Sequence, residues 1–256
     1  MNDPSDRIHV VESGPRTDTV VVLVHGSLDR AAGMARMARL LQGHVRVVRY
    51  DRRGYGHSRP HPGPHTVGDQ VDDLESVLSG RRAVIFGHSF GGHVAIAGSV
   101  RLGDQILGVS VFETPLSWVE WWPGNSAGAI TQQVSPEDAA EAFMRRLVGN
   151  KMWESLPERT REERRSEGAA LQAELGALRS GAPWETDDIQ TPLIAGHGTK
   201  AMPHHIRAMQ LLSSSVPNSG LVVLDGAGHG APNSHPALCV DLLVRPHLER
   251  AGISTS

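Results

Sequence analysis

The segment Gly87-His88-Ser89-Phe90-Gly91, followed by Gly92, carries the strongest chemical signal in this sequence of 256 residues. It has the form G-x-S-x-G and lies between an apolar run at residues 83–86 and a helical stretch at 90–101. In that setting a tight strand-to-helix turn holds the serine in a strained backbone conformation. Glycines on either side let neighbouring backbone approach without a Cβ clash. Ser89 is thereby offered as a nucleophile at the start of a helix. A serine hydroxyl is a weak nucleophile until a base takes its proton, and imidazole has a fitting pKa. The chain holds 14 histidines, and a lone histidine is more often structural than catalytic. Position singles out His229, which follows the apolar run 221–224 in the glycine-rich loop Gly226-Ala227-Gly228-His229, downstream of the serine. His88 and His93, on either side of the elbow, read as packing or solvent-facing residues.

With these residues the chain resembles the α/β-hydrolase family, in its cap-bearing, esterase-like branch, over nearly its whole length. Two further segments carry the resemblance. His25-Gly26-Ser27 follows the first apolar strand, where the family places an oxyanion-hole turn, and Asp51-Arg52-Arg53-Gly54-Tyr55-Gly56-His57-Ser58 looks like the family's D-x-R-G-x-G-x-S loop. The resemblance implies that the backbone N–H groups of Ser27 and Phe90 hold the oxyanion of a tetrahedral intermediate, which needs two preorganised donors. The second loop reads as structural, with Asp51 and Arg53 tying it to the core by charge-assisted hydrogen bonds.

A triad of this kind needs a carboxylate to fix the histidine tautomer. Most family members carry it as the Asp of a G-x-x-D-x-x-x-P loop. Here the frame is Gly196-His197-Gly198-Thr199-Lys200-Ala201-Met202-Pro203, with Thr199 in the acid position, and no Asp or Glu occurs anywhere from residue 189 to 224. Glu113 is the relocated candidate. It ends the run Val111-Phe112-Glu113-Thr114-Pro115, which resembles a strand end where some branches, certain haloalkane dehalogenases among them, place the acid. In the family's strand order that strand lies beside the nucleophile's, and neighbouring strands are about 4.8 Å apart. A carboxylate moved there still reaches the histidine loop, and a Glu after an apolar strand needs a partner. Asp225, a Ser-His dyad and a non-catalytic descendant remain as alternatives.

The elements that must position these groups alternate along the chain. Strands are expected at 20–24, 45–50, 83–86, 106–112, 192–195 and 221–224, with helices at 31–41, 67–78, 90–101, 203–212 and 236–248, the last bent or ended by Pro246. This is the pattern of an α/β fold, a mostly parallel sheet flanked by helices. The rhythm breaks at Thr114-Pro115. Residues 1–114 and 189–256 then form the core, and 115–188 form an inserted helical cap or lid. Within the insertion one helix starts with Ser135 as N-cap and Pro136 at N1, and a second runs over 158–179, its charge run a solvated face.

All five tryptophans lie between 118 and 184. Above a catalytic serine, Trp118, Trp121 and Trp122 suit an apolar or aromatic substrate arm, while Trp153 and Trp184 read as structural. The chain is 39% hydrophobic and 21% charged with a net charge of −3. This composition excludes wholesale disorder and argues against nucleic acid as the main partner. No apolar run reaches membrane-span length, so no membrane partner is expected. Residues 1–10 lack the basic-then-apolar order of a signal peptide, and cytoplasm is the expected location. The single Cys239 sits in an apolar stretch and reads as a buried thiol. No Walker pattern, G-x-G-x-x-G, H-E-x-x-H or Cys/His set is present, so neither cofactor nor metal is expected. The partner is a small-molecule substrate, and nothing fixes an oligomeric state. The expected function is a serine hydrolase that cleaves a small to medium apolar or aromatic carboxylic ester through an acyl-enzyme. Carbon–carbon bond hydrolysis, lactone hydrolysis or a lyase reaction on the same triad is the alternative, and a non-catalytic ligand-binding protein is another. Epoxide hydrolase and dehalogenase chemistry is disfavoured, because those branches use Asp where this chain has Ser89.

Overall fold

The valine-rich run Thr19–Val24 sets the centre of the sheet. From Val20 onward it is buried on both faces, as a strand inside a parallel sheet must be. The computed structural model describes residues 8–254, so the reading of residues 1–10 as lacking a targeting segment falls mostly outside it. Seven strands form one sheet: β1 (Val10–Ser13), β2 (Thr19–Val24), β3 (Arg46–Tyr50), β4 (Arg82–His88), β5 (Ile106–Phe112), β6 (Leu193–Gly198) and β7 (Ser219–Leu224). Their order is β1-β3-β2-β4-β5-β6-β7, and every pairing is parallel except β1 with β3. The expected α/β sheet is therefore present. The added strand is β1, a four-residue antiparallel edge whose side chains alternate between exposed and half-buried.

Helices cover both faces. On one side α2 (Val67–Leu78) and α3 (Gly91–Leu102) pack on the sheet. On the other lies α1 (Ala35–Leu41), preceded by a 3-10 turn over Ala31–Met34, together with the C-terminal segment. Residues between β5 and β6 hold no strand among the described residues. They fold as α4 (Ala127–Ile130), α5 (Pro136–Val148), α6 (Asn150–Ser155), α7 (Glu158–Arg165) and α8 (Gly168–Ser180). The remaining helices are α9 (Pro203–Ser215), α10 (Ala231–Ser234), α11 (Pro236–Cys239) and α12 (Arg245–Arg250).

Two sequence expectations are corrected. The helix expected over 158–179 is two helices. Gly168 opens the second at a point where a Cβ would sit 1.8 Å from Pro136 O, so only glycine lets α8 meet the start of α5. The solvated face is confined to α7, which buries no residue, whereas Glu167 and Glu174 are buried. The closing helix is also interrupted. A π turn over Val240–Val244 joins α11 to α12, just before Pro246, which has no N–H to continue the regular ladder. The start of α5 is as expected, with Ser135 Oγ accepting from Asp138 N at 3.2 Å. Cys239 is buried, and desolvation pushes its thiol up to about 12. No helix of the described residues is long and apolar enough to cross a membrane.

Candidate active site

The parallel sheet points the ends of β2, β4, β5 and β6 to one edge, where ligands of open α/β sheets bind. Ser89 follows β4 with φ +51°, a conformation that costs a non-glycine residue energy and raises its side chain above the sheet. Neighbouring backbone closes on it from three sides. A Cβ on Gly87 would meet Gly91 O at 2.5 Å, one on Gly91 would meet Val24 O at 2.5 Å, and one on Gly26 would lie 3.0 Å from Ser89 Cβ. Ser89 N is anchored to Phe112 O at 2.9 Å.

Glu113 follows β5, whose end pairs in register with that of β4, Phe112 opposite His88. It too has a positive φ, +49°, and is fully buried. Its Oε2 lies 2.8 Å from His229 Nδ1, and its Oε1 accepts from Gly198 N at 3.1 Å. The loop that carries Thr199 thus donates a backbone N–H to the Glu113 carboxylate. Thr199 Oγ1 accepts from Gly226 N at 2.9 Å, bracing the start of the His229 loop. Asp225, the alternative acid, is exposed and pairs with Thr199 Oγ1 at 3.4 Å.

Two neutral histidines flank His229. His88 Nε2 donates to His229 O at 2.8 Å, and the rings lie 4.8 Å apart. Burial, with the neighbouring His229, lowers the His88 pKa to about 3. The His205 ring lies 5.0 Å from that of His229, tilted by 32°, and burial holds its pKa well below the ordinary range. Neither was assigned a place at the site from sequence. His205 stood in a His204-His205 pair whose only sequence signal was the pairing itself. His93, also read as packing, uses Nε2 to hold Pro115 O at 2.8 Å, and so fastens the chain just after β5 to α3.

Ser27, Ser89, Phe90 and His229 line one cavity of about 390 Å³, together with residues from the segment between β5 and β6. Trp122 also lines it, edge-on to His204 at 4.7 Å. Trp118 and Trp121 are absent from the lining, which narrows the expected substrate-facing tryptophans to Trp122. Trp118 packs against Trp184 at 5.4 Å and His93 at 5.5 Å, and Trp121 lies under the Arg207 guanidinium at 4.2 Å. Trp153 and Trp184 are buried.

A buried charge network joins α8 to the loops that follow β2 and β3. Glu174 on α8 accepts from Arg52 Nη1 at 2.7 Å, Tyr55 OH at 2.6 Å and Ser27 Oγ at 2.5 Å. The Arg52 guanidinium also lies 4.7 Å from the Phe90 ring centre. This link joins residues far apart in the sequence. Its available signal was a single acid, Glu174, among Leu171, Leu175 and Leu178 on an otherwise apolar face. The loop's expected ties are present: Arg53 forks onto Asp73 at 2.6 and 2.8 Å, and Asp51 accepts from Ala31 N at 2.7 Å.

Two groups among the described residues gather potential metal ligands, Glu113 with His205 and His229, and Asp51 with His9 and His57. Both carboxylates are already engaged, Glu113 by His229 and Gly198 N, Asp51 by Ala31 N and His57. Hydrogen bonding accounts for both clusters.

The family model described as "Alpha/beta hydrolase family" matches residues 21–242. A Caulobacter protein named as a carbamate hydrolase is 34% identical over 103 residues, 38% of each chain. The chain spans under half the length of the curated relatives it matches. Among solved structures, a thermophilic esterase from Thermogutta terrifontis superposes with a TM-score of 0.72 at 22% identity, covering 95% of this chain and 93% of the other. The enol-lactonase from Burkholderia xenovorans gives 0.73 at 24% identity, covering 94% and 96%.

Proposed function

The chain belongs to the alpha/beta hydrolase family, and we propose that it is a serine hydrolase acting on a small to medium carboxylic ester. The observation that carries this reading is the 2.8 Å contact of Glu113 Oε2 with His229 Nδ1, at the edge of a cavity that Ser89 also lines. A buried carboxylate at Nδ1 keeps the proton on that nitrogen and leaves Nε2 as the base. His229 Nε2 takes the Ser89 proton as Oγ attacks the ester carbonyl. The N–H groups of Phe90 and Ser27 hold the oxyanion, and the Ser27 side chain is fixed by Glu174. Collapse of the intermediate breaks the C–O bond, and the imidazolium gives its proton to the leaving alcohol. Water, deprotonated by the same nitrogen, then releases the acid and returns Ser89 to its starting state. Glu113 stabilises the imidazolium in both half-reactions.

The cavity volume of about 390 Å³ suits a small ester arm bordered by Trp122. The test is treatment with a fluorophosphonate followed by intact-mass measurement, with Ser89→Ala as control. One adduct on the wild type and none on the control is expected. An unlabelled wild type would remove the nucleophile and favour a ligand-binding role. Turnover of a panel of alkyl and aryl esters then ranks substrates against lactones.

A further inference from the structure

The cavity lining contains a single guanidinium, Arg146, and among the described residues no Asp or Glu faces it there. α5 ends in two arginines with different surroundings. Arg145 forms ion pairs with Glu141 at 2.8 Å and Glu154 at 3.0 Å. Among the described residues Arg146 has no carboxylate within ion-pair distance; its Nη1 donates to Asn125 O at 3.0 Å, and that is a neutral partner.

The next residue along, Ser126, supplies a second observation. It lines the same cavity and is 5% exposed, yet its Oγ has no hydrogen-bond partner. A serine at a helix start ordinarily caps a backbone N–H. Ser126 stands at the start of α4 and makes no such bond. A buried hydroxyl without a partner is costly, so a partner supplied by a ligand adds to its binding. The other ionisable side chains beside Arg146 do not neutralise it. Burial first, and Arg146 second, hold His204 below its ordinary range, and burial does the same for His205.

We propose that Arg146 and Ser126 form a carboxylate-binding subsite in the cap, so that the substrate is an ester whose remote arm ends in a carboxylate. The guanidinium fork matches a carboxylate in planar geometry, and the Asn125 carbonyl orients it while leaving other N–H groups free. The Ser126 hydroxyl donates to one carboxylate oxygen. The apolar part of the arm lies along Trp122, Phe143 and Leu175. The identity of the bond cleaved rests on the serine-hydrolase reading, but the subsite can be tested without any chemistry.

The experiment is calorimetric titration of the full chain with hexanoate and, separately, hexanamide, which match in length and differ in charge. Hexanoate is expected to bind at least about tenfold more tightly. Arg146→Gln is expected to bring the two within about twofold, with Arg146→Lys in between. Ser126→Ala is expected to weaken hexanoate several-fold more than hexanamide. Circular dichroism checks that each variant is folded; Arg146 is exposed at a helix end, so its replacement does not open the core. Equal affinities, no measurable hexanoate binding at millimolar concentration, or a preference that survives Arg146→Gln each overturn the subsite, the last by putting the anion at the oxyanion donors. Fluorophosphonate labelling separates the two readings. A labelled chain without the Arg146-dependent preference loses only the subsite. An unlabelled chain with that preference loses only the serine mechanism.

Discussion

Glu113 meets His229 from the end of β5, which pairs directly with β4, the strand that leads into Ser89. Its Oε2 is 2.8 Å from Nδ1, and its positive φ aims a fully buried carboxylate at the histidine loop. Glu113→Gln keeps an oxygen for Gly198 N but presents an amide to the imidazole, which disfavours the catalytic tautomer. Turnover of a reactive ester is expected to fall by about 10³-fold or more, with the far-ultraviolet spectrum and melting temperature close to wild type. A variant that keeps near wild-type kcat would remove Glu113 from the triad.

The histidine loop is also held from below. His88 donates to the His229 carbonyl at 2.8 Å, so His88→Ala frees the loop without touching the reacting atoms. We expect kcat to drop about tenfold, and Gln at this position, which keeps a side-chain N–H, to recover part of it. Equal activity of the alanine and wild-type enzymes would show that the loop needs no such brace.

Much of this arrangement was legible in the sequence because it is local. A serine between an apolar run and a helix, glycines where backbone must approach, and an apolar strand ending in an unpaired Glu113 each announce themselves within a few residues. What was not legible depends on distant segments meeting. Glu174 lies 122 positions from Arg52, and α8 begins at Gly168 because α5 passes there. The tryptophans illustrate the same limit. Their confinement to residues 118–184 is visible in the sequence, but which of Trp118, Trp121 and Trp122 faces the cavity depends on how the chain turns after Pro115.

The Arg52–Glu174 pair predicts a stability cost tied to the docking of α8. Both groups are essentially inaccessible to water. Glu174→Ala leaves the guanidinium, the Tyr55 hydroxyl and the Ser27 hydroxyl without their shared acceptor. Breaking a buried pair by removing one partner costs about 3–5 kcal/mol, which for a chain of this size lowers the melting temperature by about 10 °C. The double replacement Arg52→Met with Glu174→Leu removes the unpaired charge and is expected to recover part of the loss, the Tyr55 and Ser27 hydroxyls staying without an acceptor. Calorimetric melting of the three proteins checks it; a Glu174→Ala protein as stable as wild type would contradict the latch.

Trp122 and Trp121 are adjacent and should behave differently. Trp122 borders the cavity, whereas Trp121 stacks on Arg207 outside its lining. Loss of a buried aromatic contact worth about 1–1.5 kcal/mol raises KM for an aryl ester about tenfold in Trp122→Ala. Trp121→Ala is expected to change it less than twofold. Steady-state kinetics with one aryl and one short alkyl ester separate the two, and equal effects at both positions would sink the assignment.

Acid should destabilise this fold earlier than carboxylate titration alone would. His93 is fully buried and its pKa is lowered to about 3, that of His247 to about 4, and that of His25 well below 6.5, in each case chiefly by burial. Each is hydrogen-bonded as the neutral ring: His93 donates to Pro115 O, His247 to Val109 O, and His25 donates to Gly26 O while accepting from Arg52 N. In the unfolded chain the same residues take a proton near pH 6.5. Between that value and the lowered folded-state values the unfolded state binds more protons. Stability is therefore intact above about pH 6.5 and is lost as the pH falls below it, by up to about 1.4 kcal/mol per pH unit for each such histidine. The melting temperature is expected to decline steadily from pH 6.5 to 4.5, a window above most carboxylate titration. His93→Gln, which retains a donor for Pro115 O, should make that decline shallower even if it lowers the plateau. A melting temperature that stays flat across the window would mean that these imidazoles become protonated inside the folded core.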